Sequence, residues 1–307
     1  MYFPFLRGKR HELSALRKLA IKVNSNKIKP IIEPVKANTS ALYLTIKELN
    51  NNQITPLIIV NPLIGEKENS NSIDFFNELS NENFSFIPCV AYSHQNSTAA
   101  NQLATYFMNN NQAFSTYFKD QPSTLMPNIT LKSAVNIVRI TPNTPSNFFV
   151  NLPRQVRLND SFESQSRNAD YPTGQYHFSD TINTHIQQPN TIGFGDYQMV
   201  GEPYSEKGGP ARAVAIHITF IDSPSNSITI KHCVSTSNSG TTTYTAQKFL
   251  EALDQLILFA NQNPQLDQST TGFQEFVDLH ARRHFPNLGP VKENSMMHHI
   301  ETITNYL

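Results

Sequence analysis

The chain has 307 residues, enough for one large domain or two modest ones. Lys plus Arg and Asp plus Glu number 24 each, so no global charge directs it to nucleic acid or to a membrane surface. A hydrophobic content of 38%, with 20 Phe and 11 Tyr, excludes a disordered chain.

The first two thirds alternate between two periodicities. "YFPFL" reads as a strand, and "RHELSALRKLAIKV" places Leu13, Leu16 and Leu19 at helical spacing. "IKPIIEPV" is a strand, and "NTSALYLTIKELNNN" a helix with Thr39 or Ser40 as N-cap. The strand "TPLIIVNP", the helix "NSIDFFNELSN", the strand "FSFIPCVAYS" and the helix "STAANQLATYFMNNN" follow. "AFSTYF" and "SAVNIVRIT" are further strands, and "TPSNFFVNLP" a short helix or turn. "QVRLND" and "TIGFGDYQMV" complete a set of eight strands. The long polar stretch between those last two reads as a loop that is functional or partly structured.

Near-continuous apolar strands separated by helices predict a parallel sheet covered on its outer face. Eight such units predict a (β/α)8 TIM-like barrel over residues 1–205, irregular in its last units. Residues 206–307 are expected to add a β-hairpin and helices packed on the barrel as one compact unit. The hairpin is "AVAIHITFIDSPSNSITIKHCVS", turning at Asp222, Ser223 and Pro224. "TAQKFLEALDQLILFANQN" is an amphipathic helix, and two more follow, divided by Pro286 and Pro290.

Parallel strands in a barrel all end at one mouth. The strand ends read, in order, Lys9 or Arg7, Glu33, Asn61, Tyr92, Lys119, Arg139, Asp160 and Asp196. Glu33 interrupts an apolar run, so burial is expected, and with it a cationic partner such as Lys9, Lys36 or Arg139. Glu33 and Asp196 are the candidate acid and base. Lys9, Lys36, Asn61, Arg139, Lys207 and Arg212 are candidate ligand-binding residues for a phosphate or carboxylate. Structural ion pairing accounts for Glu33 equally well.

Gly193 and Gly195 suggest close backbone approach near Asp196. "EKGGPAR" is either a hairpin turn or an anion-binding nest, without the spacing of a P-loop. In "RNADY", Arg167 and Asp170 either pair locally or belong to a lid. His217 and His232 fall on facing strands of the hairpin, where packing is the usual role. His280 and His284 have i, i+4 spacing without the intervening Glu of a metalloprotease, so no metal site is assigned. "HARRH" and Lys292 make a modest basic patch, which keeps nucleic acid as a minority reading.

Cys89 and Cys233 lie in apolar runs, which favours free thiols and a reducing cytoplasm. "MYFPFLRGKR" turns charged too early for a signal peptide, and no apolar run is long enough to span a membrane.

Taken together, "YFPFLRGKRHELSAL", "PIIEPVK", "RNADY" and "GFGDY" followed by "GGPARAVAIHITF" resemble the "beta protein" family of bacterial and phage proteins of unassigned activity. The resemblance is strongest to a subgroup encoded beside a small partner in mobile islands. It implies a cytoplasmic protein of mobile or anti-phage defence loci, acting with a neighbour-encoded partner protein. It supplies no established catalytic residues to carry over and leaves the cofactor unknown. Two functions stay open: an enzyme acting on a phosphorylated small molecule, with phosphodiester hydrolysis as its chemistry, and a non-catalytic sensor or scaffold that binds a phage product and hands it to an effector through the C-terminal helices.

Overall fold

A computed structural model describes residues 1–144, 151–206, 212–238 and 240–307. They form two compact units, one of residues 1–160 and 184–197, the other of 161–183 and 198–307.

The first unit is a nearly closed (β/α)8 barrel of eight parallel strands. They are β1 (Phe5–Leu6), β2 (Ile31–Ile32), β3 (Leu57–Ile59), β4 (Ile87–Tyr92), β5 (Ser115–Phe118), β6 (Asn136–Ile140), β7 (Gln155–Asn159) and β9 (Thr191–Asp196), neighbours in that order. The crossovers carry α1 (Arg10–Ala20), α2 (Ser40–Asn51), α3 (Ser72–Asn81), α4 (Ser97–Asn109) and the short α5 (Pro127–Lys132). α1 buries Leu13, Leu16 and Leu19 as its spacing requires. Asn71 caps α3, its side-chain oxygen accepting from the backbone N–H groups of Ile73 and Asp74. At α2 the side chain that accepts from Ser40 N–H is Asn38, one residue before the Thr39 cap position.

β9 meets the start of the chain and closes the ring. Phe3 N–H donates to Phe194 O at 2.8 Å, and Phe194 N–H to Met1 O at 3.2 Å. The two glycines of "GFG" make this seam. A Cβ on Gly195 would stand 2.2 Å from Phe3 O, and one on Gly193 2.5 Å from the Phe3 ring and from Met1 O.

Strand alternation then decides what fills the barrel. Phe3, Phe5, Ile31, Leu57, Ile59, Cys89, Ala91, Tyr117, Val135, Ile137, Val156, Leu158 and Tyr197 form one buried cluster. They alternate along their strands, so the next inward positions toward the C-terminal end are Arg7, Glu33, Asn61, Ser93, Lys119, Arg139 and Asp160.

The second unit is a three-stranded antiparallel sheet in the order β10 (Ala215–Asp222), β11 (Ser227–Val234) and β8 (Gln175–Ser179). β10 and β11 are the expected hairpin. β8 is a strand inside what reads as a long loop. Three helices follow, α6 (Thr245–Gln262), α7 (Thr271–Ala281) and α8 (Leu288–Tyr306). Val214, Ile216, Ile218 and Phe220 pack with Phe249, Leu253, Leu256, Phe273 and Phe276 in the core. Pro286 lies between α7 and α8, while Pro290 sits in the first turn of α8, where a missing N–H costs nothing. Cys89 and Cys233 are buried and free, one in each unit. Among the described residues no helix is long and apolar enough to cross a membrane.

Candidate functional site

The barrel mouth is built from its first two strands outward. Phe5 pairs with Ile31 and Leu6 with Ile32, so the register carries Arg7 beside Glu33. Arg7 Nη1 donates to Glu33 Oε2, and the two side chains are 7% and 1% exposed. Glu33 Oε1 accepts from Leu63 N–H at 2.9 Å, so both carboxylate oxygens are used. Arg7 is therefore the partner of Glu33, in place of the expected Lys9, Lys36 or Arg139; adjacency across the parallel ladder selects it. The guanidinium also lies 5.1 Å from the Phe5 ring and 5.6 Å from the Tyr197 ring, a cation–π arrangement. Below it, Tyr117 and Tyr197 hydroxyls are 3.0 Å apart. Burial first, and then the Glu33 charge, push the Cys89 thiol up.

Arg7 backbone N–H donates to the carboxylate of Glu12 in α1. Burial raises the pKa of Glu12, opposed by that hydrogen bond and by the charges of Lys9 and Arg7. Lys9 itself occupies the N-cap position of α1 and is half-buried.

Further round the mouth, Asn61 works as backbone. Its amide donates to Ala91 O and accepts from Ala91 N–H, both at 2.8 Å, extending the β3–β4 ladder. β5 and β6 pair Tyr117 with Ile137 and Phe118 with Val138, and that register continues to Lys119 beside Arg139. Both are half-buried, and Arg139 Nη1 lies 4.0 Å from Asp120 Oδ1, a carboxylate side chain that is 51% exposed. Two cations thus stand side by side on the inward register. Asp160, at the end of β7, is exposed.

No family model matches the chain, and no curated protein or solved structure is significantly similar to it.

Several sequence candidates stand apart from the mouth cluster. Asp196 Oδ1 accepts from Tyr2 Oη at 2.6 Å, on the face of β9 opposite Tyr197; Phe194 of that face packs at a tilt against the Tyr2 and His185 rings. Glu33 and Asp196 are therefore engaged by different partners on different faces. Tyr92 faces outward as well, stacked on Phe118. Lys36 makes an exposed ion pair with Glu66 at 2.8 Å. Arg212 is exposed, and Lys207, with the glycines of "EKGGPAR", lies outside the described residues, as does most of "TPSNFFVNLP".

In the second unit, the "RNADY" cation and carboxylate pair locally, with Arg167 Nε 2.9 Å from Asp170 Oδ2. His298 and His299 are core residues: His298 bonds to Thr219 O and Thr270 Oγ1, and His299 to Thr219 Oγ1. In "HARRH", Arg283 and His280 both bond to Asp254, and Arg282 bonds to Asp278. Among the described residues no group of three or more His, Cys, Asp or Glu is placed to hold a metal ion. A cleft of about 640 Å³ runs along α6, lined in part by Lys248, Glu251, Asp254 and Arg283. Its acids are already engaged, Glu251 by the backbone N–H groups of Thr236 and Ser237 and Asp254 by Arg283, so we place the candidate site at the mouth.

Proposed function

We propose that the barrel binds a small phosphate- or carboxylate-bearing ligand at its C-terminal mouth, between Lys119 and Arg139. The observation that carries this is their adjacency: the β5–β6 register sets two half-buried cations side by side, with the Asp120 carboxylate at 4.0 Å from Arg139, and a bound anion would relieve the repulsion between them further. Glu33 and Arg7 form a neutral, buried pair at the ends of β1 and β2. Hydrolysis of a phosphodiester needs a free acid or base at that anion. Glu33 is spent on Arg7 and Leu63, and Asp196 on Tyr2, which supports binding over catalysis and favours the sensor reading. The setting in a bacterial mobile-island or anti-phage system, with a neighbour-encoded partner, rests on the motif resemblance alone.

The test is native mass spectrometry of the protein from its own host, followed by calorimetric titration with inorganic phosphate at fixed ionic strength. A co-purifying phosphorylated molecule, and phosphate binding that Lys119→Gln and Arg139→Gln each weaken at least tenfold, is the expected result. Phosphate binding that survives the double variant overturns it.

A further inference from the structure

His217 and His232 stand directly opposite on β10 and β11, their Nδ1 atoms 2.7 Å apart. Two imidazoles at that distance share one proton, one Nδ1–H donating and the other Nδ1 accepting. A stretch from the start of this unit packs on the pair. Phe162 lies 5.0 Å from the His217 ring, and Tyr171 lies 4.5 Å from His217 and 5.0 Å from His232. Tyr176 of β8 stacks on His232 at 6.2 Å. Apart from these rings, Ser161–Thr173 is held to the sheet by Asn168, which donates to Ala213 O at 2.9 Å, and by Lys231, whose ammonium donates to Thr173 O. Beyond it, β8 is fixed by its ladder to β11.

We propose that the His217–His232 pair is a proton-controlled clasp: sharing one proton it holds Ser161–Thr173 against the hairpin, and with both rings protonated it lets that stretch go. Doubly protonated, the pair loses its only mutual hydrogen bond and sets two cations in contact. The charged groups facing it add to the repulsion: Lys231 beside His232 on β11, and Lys292 of α8 toward His217. The packed stretch carries Glu163, the locally paired Arg167 and Asp170, and the phenol of Tyr171, while Tyr176 of β8 adds a second phenol; both phenols are neutral across the acid range.

Burial, then the partner ring of His232 and Lys292, holds His217 well below the ordinary imidazole range, and burial followed by Lys231 brings His232 to about 4. The sign follows. Groups with depressed pKa in the closed state favour closure above about 6.5 and lose that contribution as the pH falls through the closed-state value. Opening should become about tenfold easier per pH unit for each proton taken up.

Hydrogen exchange, corrected for intrinsic rate, tests this from about pH 7 down to about pH 4. Peptides covering 161–173 are compared with peptides covering Ile216–Phe220 in the same sample. Protection of 161–173 is expected to fall first and steeply in wild type, and with a flatter pH dependence in His217→Gln, which leaves His232 as the pair's one titrating ring. The clasp is overturned if the two regions lose protection together in wild type, or if His217→Gln leaves the slope unchanged. Should the variant fail to fold, the wild-type comparison decides alone.

Discussion

Arg7 and Glu33 are paired by register across β1 and β2, and both are sealed from solvent at the top of the barrel interior. Removing one partner strands the other as an uncompensated buried charge. Arg7→Met or Glu33→Leu alone is expected to cost about 3–5 kcal/mol in urea unfolding, while the double variant recovers most of it. A single variant costing under about 1 kcal/mol would show that the pair is not desolvated.

The seam between β9 and β1 tolerates no side chain at Gly195, because the obstacle is the Phe3 carbonyl and not a movable side chain. Gly195→Ala is expected to destabilise by about 3 kcal/mol or more, the upper end for overpacking. Gly240→Ala, with nothing within 4 Å of the new methyl, is the control and should stay within about 0.5 kcal/mol. Equal effects at the two sites would argue against closure at this seam.

Strand number, order and the polar rim were readable because each barrel strand is a short apolar run followed by a charged or hydrogen-bonding residue. The parity of those runs was also there to use. Leu6 and Ile32 share a register, so Arg7 beside Glu33 follows from counting two residues on from Phe5 and Ile31. Asp196 was attractive as the last acid of its strand, but the inward position is Tyr197, one residue later. β8 was hidden for a different reason: "QYHFS" is a mostly exposed edge strand whose partner Ser227–Val234 lies far along the chain, and a local pattern cannot report such a pairing. The adjacency of Lys119 and Arg139 has no sequence motif, because it depends on the stagger of β5 and β6.

His298 should make the second unit acid-sensitive. Burial brings its pKa to about 4, against the ordinary 6.5. The folded state resists the proton that the unfolded state accepts. Its contribution is complete above about pH 6.5 and declines toward pH 4, amounting to about 3 kcal/mol across that window. His298→Gln should flatten the pH dependence of the urea midpoint there. An unchanged slope would place the titrating group elsewhere.

The "HARRH" segment is expected to give no nucleic-acid binding, because its arginines face Asp254 and Asp278. Retention on single- or double-stranded DNA should be absent at low salt and unaffected by Arg282→Ala and Arg283→Ala. Retention that falls steeply with salt and is lost in those variants would reverse this.

The order in which the chain is made has a consequence for how these units assemble. The barrel's last strand, Thr191–Asp196, must meet Phe3, so the ring stays open until nearly two hundred residues have left the ribosome. Ser161–Asn183 emerges during that wait, but the hairpin it belongs with is translated later, at Ala215–Val234. The growing chain therefore carries an open-edged sheet and an unpartnered aromatic stretch at once. Both are sticky, and expression at low temperature or with chaperones should improve the yield of soluble protein more than it does for a barrel without such an excursion.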